Sequence, residues 1–156
     1  MSFTHLDSSG HARMVDVTEK QPTVRSATAR GFVRVAAETV AALRDGSVPK
    51  GDVLAVARIA GIQGAKRCAE LLPLAHVIGV HGAAVDLAVE DEGVAIEATV
   101  RTADRTGVEM EALTAVTIAA LSVVDMVKGM DRSAAIESAR IVAKTGGRSG
   151  SWTRED

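Results

Sequence analysis

Val85-Asp86-Leu87-Ala88-Val89-Glu90-Asp91-Glu92-Gly93-Val94-Ala95-Ile96-Glu97-Ala98-Thr99-Val100 is the stretch whose reading decides the fold. Its apolar residues fall at every second position, at Val85, Leu87 and Val89 and again at Val94, Ile96, Ala98 and Val100. That is the period of a strand with one face on a core. Asp91-Glu92-Gly93 interrupts the alternation with turn-forming residues. The segment from Val77 to Thr106 therefore predicts an antiparallel hairpin.

Outward from the hairpin the period changes. Val108 to Met130 is helical by composition, and its middle, Ala112 to Val124, is apolar all round, as in a helix buried in a core or at an interface. Ala134 to Lys144 is ambiguous: Ser133-Ala134-Ala135-Ile136-Glu137 favours helix, Ile141-Val142 favours strand, and Gly146-Gly147 ends either. On the other side, Gly51-Asp52 opens a helix to about Leu72, with Asp52 as N-cap and Pro73 closing it. Gly61 and Gly64 within it permit close helix packing. Ala36 to Arg44 reads as a shorter helix stopped by Asp45-Gly46, and Thr23 to Val35 as a strand. The order strand, helix, helix, hairpin, helix and a final undecided element predicts an α+β fold, with helices on one face of an antiparallel sheet. Residues 1–20, polar and rich in His, Ser and Gly, read as a flexible N-terminal arm, 21–150 as one domain and 151–156 as a C-terminal tail.

The 156 residues suffice for one core without disulfides. With two Phe, one Trp and no Tyr, that core must be built from Ala, Val, Leu and Ile, which favours close helix contacts and subunit association. A formal charge of −2 gives no global attraction to nucleic acid or an anionic membrane, so an anionic ligand needs a local cationic pocket. Cys68 is the only cysteine, which excludes an internal disulfide or a several-thiolate metal site and suits a reducing compartment. Residues 1–10 lack a signal-peptide core, and the run Ala112 to Val124 is short for a bilayer and contains Thr and Ser. A cytoplasmic location is expected, with no partner in a membrane.

Taken singly, the candidate functional residues have ordinary explanations. Lys50 after Pro49 suits a surface turn, His76 a helix-end cap, and Asp125 with Lys128 a simple helix ion pair. Glu109, Glu111 and Asp125 stand out, because they flank a helix whose middle is almost uncharged, where ionised groups are costly unless paired or functional. Glu111 and Asp125 share a helix face but lie about 21 Å apart along it. One subunit cannot bring both to one atom.

Five ordered blocks together carry a resemblance that none carries alone: KGDVLAVARIAGIQGAKR at Lys50–Arg67, LLPLAH at Leu71–His76, TGVEMEALTAV at Thr106–Val116, DMVK at Asp125–Lys128 and AKTGGRSG at Ala143–Gly150. With Met14-Val15-Asp16-Val17, they resemble the MoaC family of molybdenum-cofactor biosynthesis over nearly the whole chain. The resemblance implies a ferredoxin-like fold, a hexamer made of three dimers, and an active site at the dimer interface. It implies a lyase that converts 3′,8-cyclo-7,8-dihydro-GTP to cyclic pyranopterin monophosphate and releases pyrophosphate. By position, Asp125 is the implied catalytic acid/base. Leu74, Ala75, His76, Met110 and Glu111 contact substrate, and Lys50, Glu109 and Lys128 complete the site. Lys50, Lys144 and Arg148 are the candidates for stabilising charge on the phosphates. No cofactor is required by the sequence and no metal ligands are assigned, although Mg²⁺ could accompany the triphosphate.

Two departures accompany the match. Ala75 and Val77 stand where the family usually has Cys or Ser before the histidine and Pro after it, and Arg13 replaces a common histidine. The altered histidine loop supports an alternative from another class, a catalytically weakened paralogue that binds a pterin or nucleotide as a regulatory oligomer.

Overall fold

The computed structural model describes residues 4–155. The outermost positions of the expected arm and tail, residues 1–3 and 156, lie outside the described residues. The elements are β1 (Thr23–Arg34), α1 (Ala37–Asp45), α2 (Val53–Lys66), α3 (Cys68–Leu71), β2 (Gly82–Glu90), β3 (Gly93–Asp104), α4 (Glu109–Val127), β4 (Ala135–Thr145) and β5 (Trp152–Thr153). The chain is α+β, with one antiparallel sheet in the order β2-β3-β1-β4-β5. If β5 is set aside and α1–α3 counted as one helical layer, the order β-α-β-β-α-β is the one a ferredoxin-like reading requires.

The hairpin is β2–β3, paired from Gly82↔Arg101 to Glu90↔Gly93, so Asp91-Glu92 forms the turn and Gly93 already belongs to β3. Alternation works as the sequence indicates: Val94, Ile96, Ala98, Val100 and Thr102 are buried on the helix-facing side. β1 runs between β3 and β4 and buries Ala27, Ala29 and Val33 on the same side. Gly46 stops α1 in the left-handed conformation at φ 69° and donates to the Ala42 carbonyl. Asp52 caps α2 by accepting from the Ala55 N–H at 3.0 Å.

The core forms where α2 and α4 pack on each other and on the sheet. A Cβ on Gly61 would stand 2.9 Å from the Ala115 carbonyl oxygen, and one on Gly64 2.9 Å from Ile118 Cγ1, so both glycines set the approach of α2 to α4. On the sheet side, Gly31 lets Val116 reach β1, since a Cβ there would lie 2.5 Å from Val116 Cγ1. α4 buries Ala112, Ala115, Val116, Ala119, Ala120, Val123 and Val127. Its 19 residues are long and apolar enough to cross a membrane, more than the apolar run alone indicated, but this row of buried residues faces the core. The opposite side is uncovered: Leu121 is exposed, as are Val56 and Ile59 on α2.

Three boundaries differ from the sequence reading. The second helix does not run unbroken to Leu72; it ends at Lys66, and Cys68–Leu71 forms a separate turn before Pro73. The undecided segment is a strand, β4, whose first residues Ala135–Arg140 are exposed, so solvent-facing Glu137 and Ser138 need no helical amphipathicity. Within the expected tail, Trp152-Thr153 pairs with Lys144 and Ala143 as β5. The N-terminal segment contains turns and a single bridge between Leu6 and Ala12, and it lies against the loop after α3.

Candidate active site

The motif residues gather into two groups, one at each end of α4. At its C-terminal end, Lys128 lies one turn beyond Asp125 and donates to Asp125 Oδ1 at 2.5 Å. Lys50 arrives from the connector between α1 and α2. Its Nζ donates to the Asp125 main-chain carbonyl at 2.8 Å and stands 3.6 Å from Asp125 Oδ2. The hydrogen bond from Lys128, its charge and the charge of Lys50 hold the Asp125 carboxyl below the usual carboxylate range. Asp125 is exposed, so it escapes the burial cost that its apolar helix suggested.

At the N-terminal end, Leu74, Ala75, His76, Glu109, Met110 and Glu111 line a cavity of about 330 Å³. Here the acids differ. Glu111, at the third position of α4, is 5% exposed. Burial pushes its carboxyl above the usual range, and Glu109 adds to the rise; its own backbone N–H, the Cys68 thiol and His76 offset part of it. Glu109 is half-buried and lies 3.7 Å from Lys144 Nζ. Lys144 also bonds Ser149, which ties β4 to the Gly146–Gly150 turn. Arg148 is exposed in that turn and is not joined to either group.

Two contributions escaped the sequence reading. His76 Nε2 is 2.5 Å from the Val15 carbonyl, so the N-terminal segment forms one wall of the cavity, together with His5, Val17 and Lys20. Arg25 is buried, donating to the carbonyls of Asp104 at 3.3 Å and Arg105 at 3.4 Å. Gly147, at φ 75°, closes over its guanidinium so tightly that a Cβ would collide with Arg25 Nη1. The signal for Arg25 was available: it occupies the inward phase of β1, two residues before buried Ala27. That phase places it beside Lys144, which pairs with Ala27 across β1–β4.

Chemically, the C-terminal group offers a carboxylate between two ammonium ions, suited to proton transfer and to charge on phosphate oxygens. The N-terminal group offers a buried carboxyl with raised proton affinity, a histidine and a lysine around an open cleft. The described residues bring no three His, Cys, Asp or Glu side chains together as a metal site. Along α4 the two groups are roughly 20 Å apart.

Comparison with known proteins identifies the family. The model of the MoaC family matches residues 14–147. A Streptomyces coelicolor protein named cyclic pyranopterin monophosphate synthase is 60% identical over 152 residues, covering 97% of this chain and 89% of that protein. Proteins of the same name from Chloroflexus aurantiacus and Thermomicrobium roseum are 56% and 55% identical, covering 97% and 99% of this chain and 94% of each relative.

Proposed function

The chain belongs to the MoaC family, and from this premise we propose that it is a cyclic pyranopterin monophosphate synthase, a lyase of molybdenum-cofactor biosynthesis. The observation that carries the reading is identity above one half to synthases of that name over nearly the full chain. The substrate is 3′,8-cyclo-7,8-dihydro-GTP. In the phosphate step a ribose hydroxyl oxygen bonds to the α-phosphorus, the bond from that phosphorus to the bridging oxygen breaks, and pyrophosphate leaves. Lys50, Lys128, Lys144 and Arg148 are suited to the charge that grows on the phosphates. The ring rearrangement moves protons, and Asp125 with Lys128 is the pair suited to transfer them. Glu111, with its raised proton affinity, is suited to hold a proton near the ring system. Leu74, Ala75, His76, Glu109 and Met110 shape the cavity that receives it. Mg²⁺ accompanying the triphosphate would be held by phosphates and water; no step here uses it.

A second subunit completes the site in this reading. What supports it is the distance of roughly 20 Å between the two groups on one helix, and the uncovered apolar side of α2 and α4 at Val56, Ile59 and Leu121. The proposed assembly is a hexamer of three dimers in the cytoplasm, acting on a small anionic substrate. The weakened-paralogue alternative rests on Ala75 and Val77. Val77 is 89% exposed, and His76 between them meets the Val15 carbonyl.

The test is incubation of the purified protein with the cyclised GTP substrate. Formation of the cyclic phosphate and one pyrophosphate per turnover is expected. Tight binding with no turnover would favour the regulatory alternative.

A further inference from the structure

A glycine serves a fold through its backbone freedom or through the space its missing side chain leaves. Gly107 lies in the loop between β3 and α4 and lines the same cavity as His76 and Glu111. It is not among the glycines with positive φ, so no left-handed turn requires it. The space does. The three heavy atoms nearest to a Cβ placed on residue 107 all belong to the Glu109 carboxyl: Oε2 at 2.0 Å, Cδ at 2.8 Å and Oε1 at 2.9 Å. Glu109 opens α4, and its side chain is folded back over the glycine that precedes the helix. There Oε1 lies 3.7 Å from Lys144 Nζ, with the two side chains only 31% and 21% exposed. Lys144 also bonds Ser149 in the turn after β4.

We propose that Gly107 is a positioning residue: the space over its Cα seats the Glu109 carboxylate, and by leaving that seat open the glycine directs Glu109 onto Lys144. The effect runs from Gly107 through Glu109 to the lysine. A side chain at residue 107 and the carboxylate in its present place exclude one another. The main chain has little room to resolve the conflict, because Val108 is fully buried and the Asp104 and Arg105 carbonyls are held by Arg25. What can move is the Glu109 carboxylate, at the free end of a flexible side chain. Gly61 is the contrast, since a Cβ there would meet a carbonyl oxygen of α4. Filling the space at Gly107 therefore leaves the fold standing and takes Glu109 off Lys144.

The effect on catalysis rests on the synthase reading, but the seat can be seen without turnover. Crystal structures of the native protein and of Gly107→Ala locate the Glu109 carboxylate. In the variant it should leave residue 107 and stand beyond the ion-pair limit of about 4 Å from Lys144 Nζ. The melting temperature should be unchanged or slightly raised, because alanine restricts the unfolded chain. Turnover of the cyclised GTP substrate should fall about tenfold or more, as misplacement of a positioned group commonly costs. In a Glu109→Ala background, where there is no carboxylate to displace, Gly107→Ala should cost no further factor; an equal loss in both backgrounds would make residue 107 a merely structural position. A Glu109–Lys144 pair that is absent from the native protein or intact in Gly107→Ala would overturn the proposal. So would a variant that fails to fold, or native turnover with the carboxylate displaced. A displaced carboxylate in a protein whose native form has no synthase activity would instead overturn the functional reading and leave the positioning role standing.

Discussion

Lys50 donates to the main-chain carbonyl of Asp125 at 2.8 Å, while its nitrogen stands 3.6 Å from the carboxylate. The lysine is therefore anchored to the end of α4 independently of the charge on the side chain it serves. Carbonyls in the last turn of a helix lack intrahelical partners and carry partial negative charge, so a cation is favoured there. The arrangement keeps Lys50 in place when Asp125 gains or loses a proton.

Asp125→Asn should accordingly leave Lys50 anchored and the fold intact while lowering turnover by about two orders of magnitude, as loss of a positioned proton-transfer group commonly does. Lys128→Ala should fall by a similar factor with its assembly unchanged. Steady-state kinetics with sedimentation of each variant checks both. Near-native turnover in Lys128→Ala would reduce that residue to an ion-pair partner.

Glu111→Gln should stabilise the protein while impairing it. The folded state raises the Glu111 carboxyl, so its ionisation opposes folding; the penalty is absent below the unfolded value and grows as pH rises through the folded one. A neutral amide avoids it. The melting temperature at pH 7.5 should rise by about 2 °C or more, each kcal/mol being worth roughly 2–4 °C in a chain of this size. The difference should close near about pH 4, where the unfolded carboxyl is protonated as well.

Restoring the usual family residues, Ala75→Cys with Val77→Pro, should leave activity unchanged or higher. Val77 is almost wholly exposed, so the ring meets no neighbour and only restricts the loop. A large loss of activity would show that the loop is built around its present residues.

Gly61→Ala should destabilise by about 1–3 kcal/mol, the usual effect of overpacking a tight core. The added Cβ would stand 2.9 Å from the Ala115 carbonyl oxygen, a backbone atom on α4 that cannot rotate away. Thermal melts of the variant check this. A native-like melting temperature would mean that α2 and α4 are free to separate.

What the sequence disclosed followed the period of its apolar residues. Val85 to Val100 alternates because one face of the hairpin is buried, and Asp52 and Gly46 mark helix ends by chemistry that acts within a few residues. β4 stayed undecided because its first half is exposed on both faces and so carries no burial pattern to read. The break at Arg67 was hidden because Lys66 to Leu71 contains no proline or glycine. The motif blocks named the candidate site residues, but not how they group. Lys50 and Asp125 are brought together by a contact 75 residues long, which no spacing rule anticipates. Arg25 was readable in principle, as a charge on the inward phase of a strand.

The grouping also fixes how a site shared between subunits must be tested. Lys50, Asp125 and Lys128 belong to one end of α4 in one chain, and His76 and Glu111 to the other end. Inactive Lys128→Ala and Glu111→Gln subunits, dissociated and reassembled together, should regain synthase activity, because about one quarter of randomly mixed sites would then take both groups from intact ends. Lys50→Ala mixed with Asp125→Ala should stay inactive, since every site would carry one lesion or the other. Recovery of cyclic pyranopterin monophosphate formation in the first mixture alone is the result the account predicts. No recovery in the first mixture, with subunit exchange verified by mass, would contradict it.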